Sequence, residues 1–237
     1  MAAPVRAGKR IASDVSLGAS DVNQRAAMFN PQPVAVWLLV LPIAGVEAVL
    51  SLASAGLVNW PGSIAWREAW VLRAGITPAL QDWMIGAATY PPEHLLRYLA
   101  YGFVHLGPAQ SVLVAAIVAG LGTACAPALG SARVVGFALA GQAAGAVAFG
   151  LWGLEGAWLI GGYPLIFALA GAYAAVQWHS GVGARAFGLL AMLVLGRLAV
   201  AALMGGTDFL ADLVAAGVGF ALALGLRPGL LARLRAR

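Results

Sequence analysis

Charge is scarce in this 237-residue chain: Asp, Glu, Lys and Arg make up 10% of it against 62% apolar residues, and mean hydropathy is +0.87. So little polar surface cannot cover a water-exposed globule, which excludes an ordinary soluble domain. Cysteine occurs once, at Cys125. That excludes an internal disulfide and any cysteine metal cluster, and leaves the thiol as a small buried apolar group. Lysine is nearly missing as well. Thirteen arginines against one lysine, with abundant alanine and glycine, is a composition expected of GC-rich bacterial coding. The net charge of +5 and pI near 10 do not make a nucleic-acid binder, because the basic residues lie mostly in the two tails with no aromatic-studded basic face between them. No motif implies a cofactor or a metal.

What is present is a succession of apolar runs long enough to span a bilayer, so the expected class is an all-α polytopic membrane protein. Residues 1–32 are mixed and polar without a helical stripe, and are expected to form a flexible tail. The first span is expected from about Pro33 to Ala55; its small residues near Ser51–Gly56 resemble a cleavage site, but the run is longer than a signal-peptide core. It carries Glu47 near mid-depth, where a carboxylate must be protonated, paired or turned toward protein. The connection from Leu57 to Tyr98 mixes Trp60, Trp66, Trp70 and Trp83 with Arg67, Glu68, Arg73 and Asp82, the composition of a large loop resting in the headgroup zone. Further spans are expected at about 109–126, 134–154, 160–177, 187–204 and 208–226, making six. Gly141 and Gly145 in the third share one helix face, and packing within the chain is favoured over self-association. The fifth span carries Arg197, and the sixth Asp208 and Asp212. A basic tail, 227–237, closes the chain, so the membrane domain is 33–226.

Six spans place both tails on one side. Ten of the fourteen basic residues fall on that side, in the tails and in the turns at Arg133 and Arg185, while Arg67, Arg73 and Arg97 fall on the other. The positive-inside rule makes the tails cytoplasmic, so a bacterial inner membrane location is expected.

Several short patterns, in order from Trp66 to Gly219, resemble the rhomboid family of intramembrane serine proteases. Trp66-Arg67 is similar to the Trp-Arg pair of the family's first loop, and Arg97 through Phe103-Val104-His105 resembles the lead-in to its second span. Gly130-Ser131-Ala132-Arg133 is similar to its turn into the third. Gly161, Gly171 and Ala172 match the Gly-x-Ser-Gly segment with its later Gly-Ala, but Tyr163 stands in the serine place and Pro164 in that of the second glycine. Gln110 and Val114 occupy the positions of the family's oxyanion-binding His and Asn; the amide can still donate a hydrogen bond and valine cannot. Asp212, with Ala215 and Gly219 after it, takes the place of the catalytic histidine.

The resemblance therefore implies a six-helix rhomboid-like bundle whose catalytic positions are degenerate. A serine-type dyad needs an alcohol and an imidazole in contact. A phenol with an ordinary pKa of about 10 beside a weakly basic aspartate does not replace it. His179-Ser180 are neighbours in a turn on the opposite membrane face and do not meet as base and nucleophile. Arg197 and Asp212 both lie roughly 6 to 11 Å deep on the outer side at 1.5 Å per residue. A structural ion pair between them is expected, joined by the Tyr163 hydroxyl or by Asp208. The function implied is that of a pseudoprotease, more an interaction protein than an enzyme. It would bind transmembrane helices of other proteins, alone or as a subunit of a larger membrane complex, through Trp66, Arg67, Tyr163, Arg197 and Asp212, with lipid as its other partner. An active protease with non-standard residues and a small transporter or channel using Glu47 or Asp212 are the alternatives.

Overall fold

Helix α7, Tyr163–His179, runs through the middle of the protein with nearly every residue from Pro164 to Ala175 buried. The computed structural model describes residues 32–225, all-helical apart from turns and one isolated backbone bridge. Nine α-helices follow in order among the described residues: α1 Val34–Ser54, α2 Trp66–Ala74, α3 Pro78–Gly86, α4 Pro92–Ala100, α5 Pro108–Leu129, α6 Ser131–Trp152, α7, α8 Gly188–Met204 and α9 Phe209–Gly225. Apart from Gln32, the expected tails at 1–32 and 227–237 lie outside the described residues, as does Leu226. Four helical stretches are long and apolar enough to cross a membrane: α1, α5, α6, and α8 with the 3₁₀ turn that leads into it. Helices α7 and α9 are apolar but have 17 residues each.

Small residues explain the packing. A side chain at Gly171 would strike the Ala216 carbonyl, and one at Gly219 would strike the Ala168 carbonyl, so α7 and α9 touch backbone to backbone. On α6, Gly141 faces Ala168 and Ala215, and Gly145 faces Ala211. Both glycines are thus spent inside the chain. Close backbone approach is how helices associate where lipid offers no hydrophobic drive. Around this centre, α1 and α5 contribute Leu39, Ile43, Val114, Val118 and Leu121 to a core shared with Leu165, Ile166 and Leu169. Helix α8 is different. None of its residues is buried, and it lies against α7 and α9 as an outer layer.

The connection between α1 and α5 folds into the three short helices α2 to α4. Each starts as local chemistry dictates: Thr77 accepts a hydrogen bond from Leu80 N–H at 3.2 Å with Pro78 following, and Pro92 opens α4. The segment is tied down by backbone. Ile76 and Leu159 exchange both hydrogen bonds, at 3.1 and 2.9 Å, and Gly161 N–H donates to the Tyr101 carbonyl at 3.0 Å. This pairing moves the start of the fourth apolar helix from the expected Ile160 to Tyr163. Leu159 is held in the bridge, and Gly161 bends the chain with φ +96°.

Substitution separates the two kinds of glycine. Gly171→Val is expected to cost about 3 kcal/mol through overpacking, whereas Gly136→Ala, which faces open space, is expected to stabilise by about 0.5 kcal/mol. Denaturant unfolding of the purified protein in detergent micelles checks both; equal effects would show that the α7–α9 contact is not tight.

Candidate functional site

The first turns of α7 and α9 and the C-terminal half of α8 converge on one guanidinium. Arg197 is carried on α8 and points at Asp212 in the first turn of α9, with Nε donating to Asp212 Oδ2 at 2.5 Å. Its Nη2 donates to Asp208 Oδ2, just before the same helix. Below it lies the first residue of α7: the Arg197 guanidinium carbon stands 5.1 Å from the centroid of the Tyr163 ring. The ion pair expected between Arg197 and Asp212 is therefore present, with Asp208 as its second acid. The contact with Tyr163 is different in kind, because the guanidinium meets the face of the ring rather than the hydroxyl.

Geometry of this sort leaves no reactive pair. Tyr163 and Asp212 are bridged by a cation and do not touch as nucleophile and base. The Asp212 carboxylate already accepts from Arg197, and its side chain is 1% exposed. Among the described residues no group of three or more His, Cys, Asp and Glu is placed to hold a metal ion.

A second polar constellation sits between α1, α2 and the loop before α5. Glu47, nearly buried on α1, receives Arg67 Nη2 at 2.6 Å on one oxygen and Nη1 at 3.1 Å on the other, a bidentate pair. Ser51 Oγ donates to Glu47 Oε1 at 2.5 Å, and Arg67 Nη1 also donates to the His105 carbonyl at 2.9 Å. The mid-span carboxylate is thereby paired, and the arginine of the Trp66-Arg67 pair is its partner. Trp66 packs, half-buried, against the small cluster of Leu50, Ala74 and Val104. Residues 20 and 38 positions apart in sequence meet here, and no local signal joins them.

His105 links this latch to the start of α7. Its ring is fully buried, and Nε2 accepts from Gly162 N–H at 3.3 Å. Nε2 is the unprotonated nitrogen, so the imidazole is neutral. The partner is a backbone amide and not a hydroxyl. Gln110 turns its oxygen to Leu106 N–H at 3.1 Å, with the amide nitrogen against Gly161, and Val114 is buried with a methyl against Gly162. A methyl thus fills part of the space in front of α7. The other two histidines are elsewhere: His94 lies edge-on to Trp83, with ring centroids 5.7 Å apart, and His179 ends α7 with Nδ1 2.6 Å from the Ala175 carbonyl.

Comparison of the chain with models of known protein families, with curated proteins and with solved structures finds no match.

Two predictions follow from the latch. Arg67→Met leaves the Glu47 carboxylate unpaired and is expected to cost about 3 kcal/mol, while adding Glu47→Leu recovers most of that loss, because the pair is dearer to break than to replace. A double-mutant cycle in denaturant checks this, and simple additivity contradicts it. For His105, burial lowers the pKa below its ordinary 6.5, with Arg67 acting in the same direction and Glu47 and the Phe103 backbone opposing. The unfolded chain then binds the proton more readily than the folded one. The contribution to stability is complete above the ordinary value and is lost as pH falls through the lowered one. Melting temperature in detergent is expected to drop as pH falls below about 6.5, and the drop to flatten in His105→Gln; the same slope in both proteins would exclude His105 as its source.

Proposed function

We propose that the chain is a rhomboid-like pseudoprotease of a bacterial inner membrane. In this reading it holds transmembrane helices of other proteins, as scaffold, escort or complex subunit, and does not cut them. The observation that carries the reading is Arg197 lodged between Tyr163 and Asp212, the two positions where the rhomboid pattern has its serine and histidine. A guanidinium bound to the acid and stacked on the phenol ring supports this reading, because it stands where the proton transfer between nucleophile and base would have to pass.

The same reading takes α7 and α9 as spans together with the four longer helices, giving six, with both tails cytoplasmic. At 1.5 Å per residue, 17 residues reach roughly 25 Å, short of a typical hydrocarbon core but sufficient where the helix lies inside protein. Helices α2 to α4, with Trp70 and Trp83 exposed, rest at the outer headgroups and meet lipid there.

The holding site is a cleft of about 340 Å³ between α5 and α8, walled by Leu113, Ile117, Met192, Gly196 and Val200, with Tyr163 and Arg197 as its polar lining. It opens between two helices that themselves face lipid, so its occupant arrives from within the bilayer. A helix fits the long, apolar wall, and the unburied α8 offers little resistance to a neighbour.

The expected outcome is no labelling by a serine-directed fluorophosphonate, no cleavage of a model transmembrane substrate, and capture of such a helix by a photo-crosslinker placed at Leu113 or Met192. Cleavage sinks the pseudoprotease reading, and absence of any capture sinks the holding role.

A further inference from the structure

The ion group around Arg197 does not balance. Two carboxylates, Asp208 and Asp212, share one guanidinium. The second oxygen of Asp212 is buried and has no hydrogen-bond partner. The unmet buried acceptor raises the free energy of the protein as it stands, and the accessible acid, Asp208, shares its only cation with Asp212. The group also stands between two cavities. Arg197 lines the apolar α5–α8 cleft, and Asp208 lines a smaller space of about 230 Å³ beside Trp158 and Thr207, next to the C-terminal end of α8. Of the three charged side chains Asp208 is the accessible one, at 39% exposed.

Charge decides which helix suits this cleft. An acidic side chain at the level of Arg197 would add a third carboxylate to one cation, and a wholly apolar helix would leave the deficit as it is. We propose, resting on the helix-binding reading above, that the helix taken up by the cleft carries a lysine or arginine near its outer end. The aliphatic stem lies along the cleft wall, and the charged head rises to Asp208 and Trp158. Long basic side chains behave in this way wherever hydrocarbon gives out onto polar groups. A carboxylate with an indole beside it suits a cation that has shed part of its water. Arg197 keeps its bond to Asp212 while Asp208 is shared with the newcomer.

The depth of the site sets the register. Arg197 lies seven residues from the end of α8, about 10 Å at 1.5 Å per residue, so the basic residue sits within roughly two turns of the outer end of its helix. A cation at that depth is unfavourable on a helix surrounded by lipid. A helix that carries one gains in this cleft what lipid does not provide, which makes the site selective for spans with an unpaired basic residue.

The test uses the full-length protein in phospholipid vesicles, with a benzophenone side chain in place of Met192. Synthetic Leu/Ala helices of about 20 residues are added that differ only at the fifth residue from the outer end, which is Lys, Leu or Glu. The Lys helix is expected to be captured about fivefold or more above the Leu helix, and the Glu helix below both. Asp208→Asn is expected to bring the Lys-to-Leu capture ratio close to one, and Trp158→Leu to lower it, in proteins whose melting is checked beforehand. Equal capture of the Lys and Leu helices, a preference for Glu, or an unchanged ratio in both variants overturns the inference and leaves helix binding standing. Capture of none of the three overturns both.

Discussion

The near-contact of the α7 and α9 backbones, at Gly171 against Ala216 and Gly219 against Ala168, is the constraint from which the rest of the arrangement follows. Helices surrounded by lipid gain nothing from hiding apolar surface from one another, so shape and small residues decide which of them touch. Once these two are locked, with α6 closing over them through Gly141 and Gly145, the first turns of α7 and α9 stand side by side. Tyr163 and Asp212 belong to those turns. A single side chain from a third helix then reaches both, and Arg197 is that side chain.

The two charged constellations differ in how completely they are satisfied. Around Glu47 both carboxylate oxygens have donors, Ser51 adds a third, and Arg67 reaches on to the His105 carbonyl. This arrangement joins α1, α2 and the approach to α5 into one rigid corner. Around Arg197 the acids outnumber the base, and one buried oxygen is left over. The first group therefore serves as structure. The second stands beside the cleft and on α8, a long apolar helix with no buried residue.

Much of this architecture is legible in the residues. Apolar length alone places α1, α5, α6 and α8 within a few positions of where they lie, since a run of that length without charge has few other uses. The pairing of Arg197 with Asp212 also follows from depth, because charges at one level of neighbouring apolar helices seek each other, and Asp208 joins them. Other features lie beyond such reasoning. The partner of Glu47 is 20 residues away on a short helix whose orientation no periodicity fixes. His105 meets Gly162 across 57 residues, through a backbone amide that any residue but proline would supply. The contact of Arg197 with the ring of Tyr163, in place of its hydroxyl, depends on the tilt of α8, which its even hydrophobicity does not specify.

The antiparallel bridge between Ile76 and Leu159 binds the short-helix segment to the approach of α7 through main-chain hydrogen bonds, with both side chains buried in one apolar cluster beneath it. Its hydrogen bonds exclude proline and ask for nothing else, whereas the cluster below asks for apolar side chains. The turn at Gly161 and Tyr163 is thereby clamped twice, and loosening either hold alone would leave the other to keep the mouth of α7 in place.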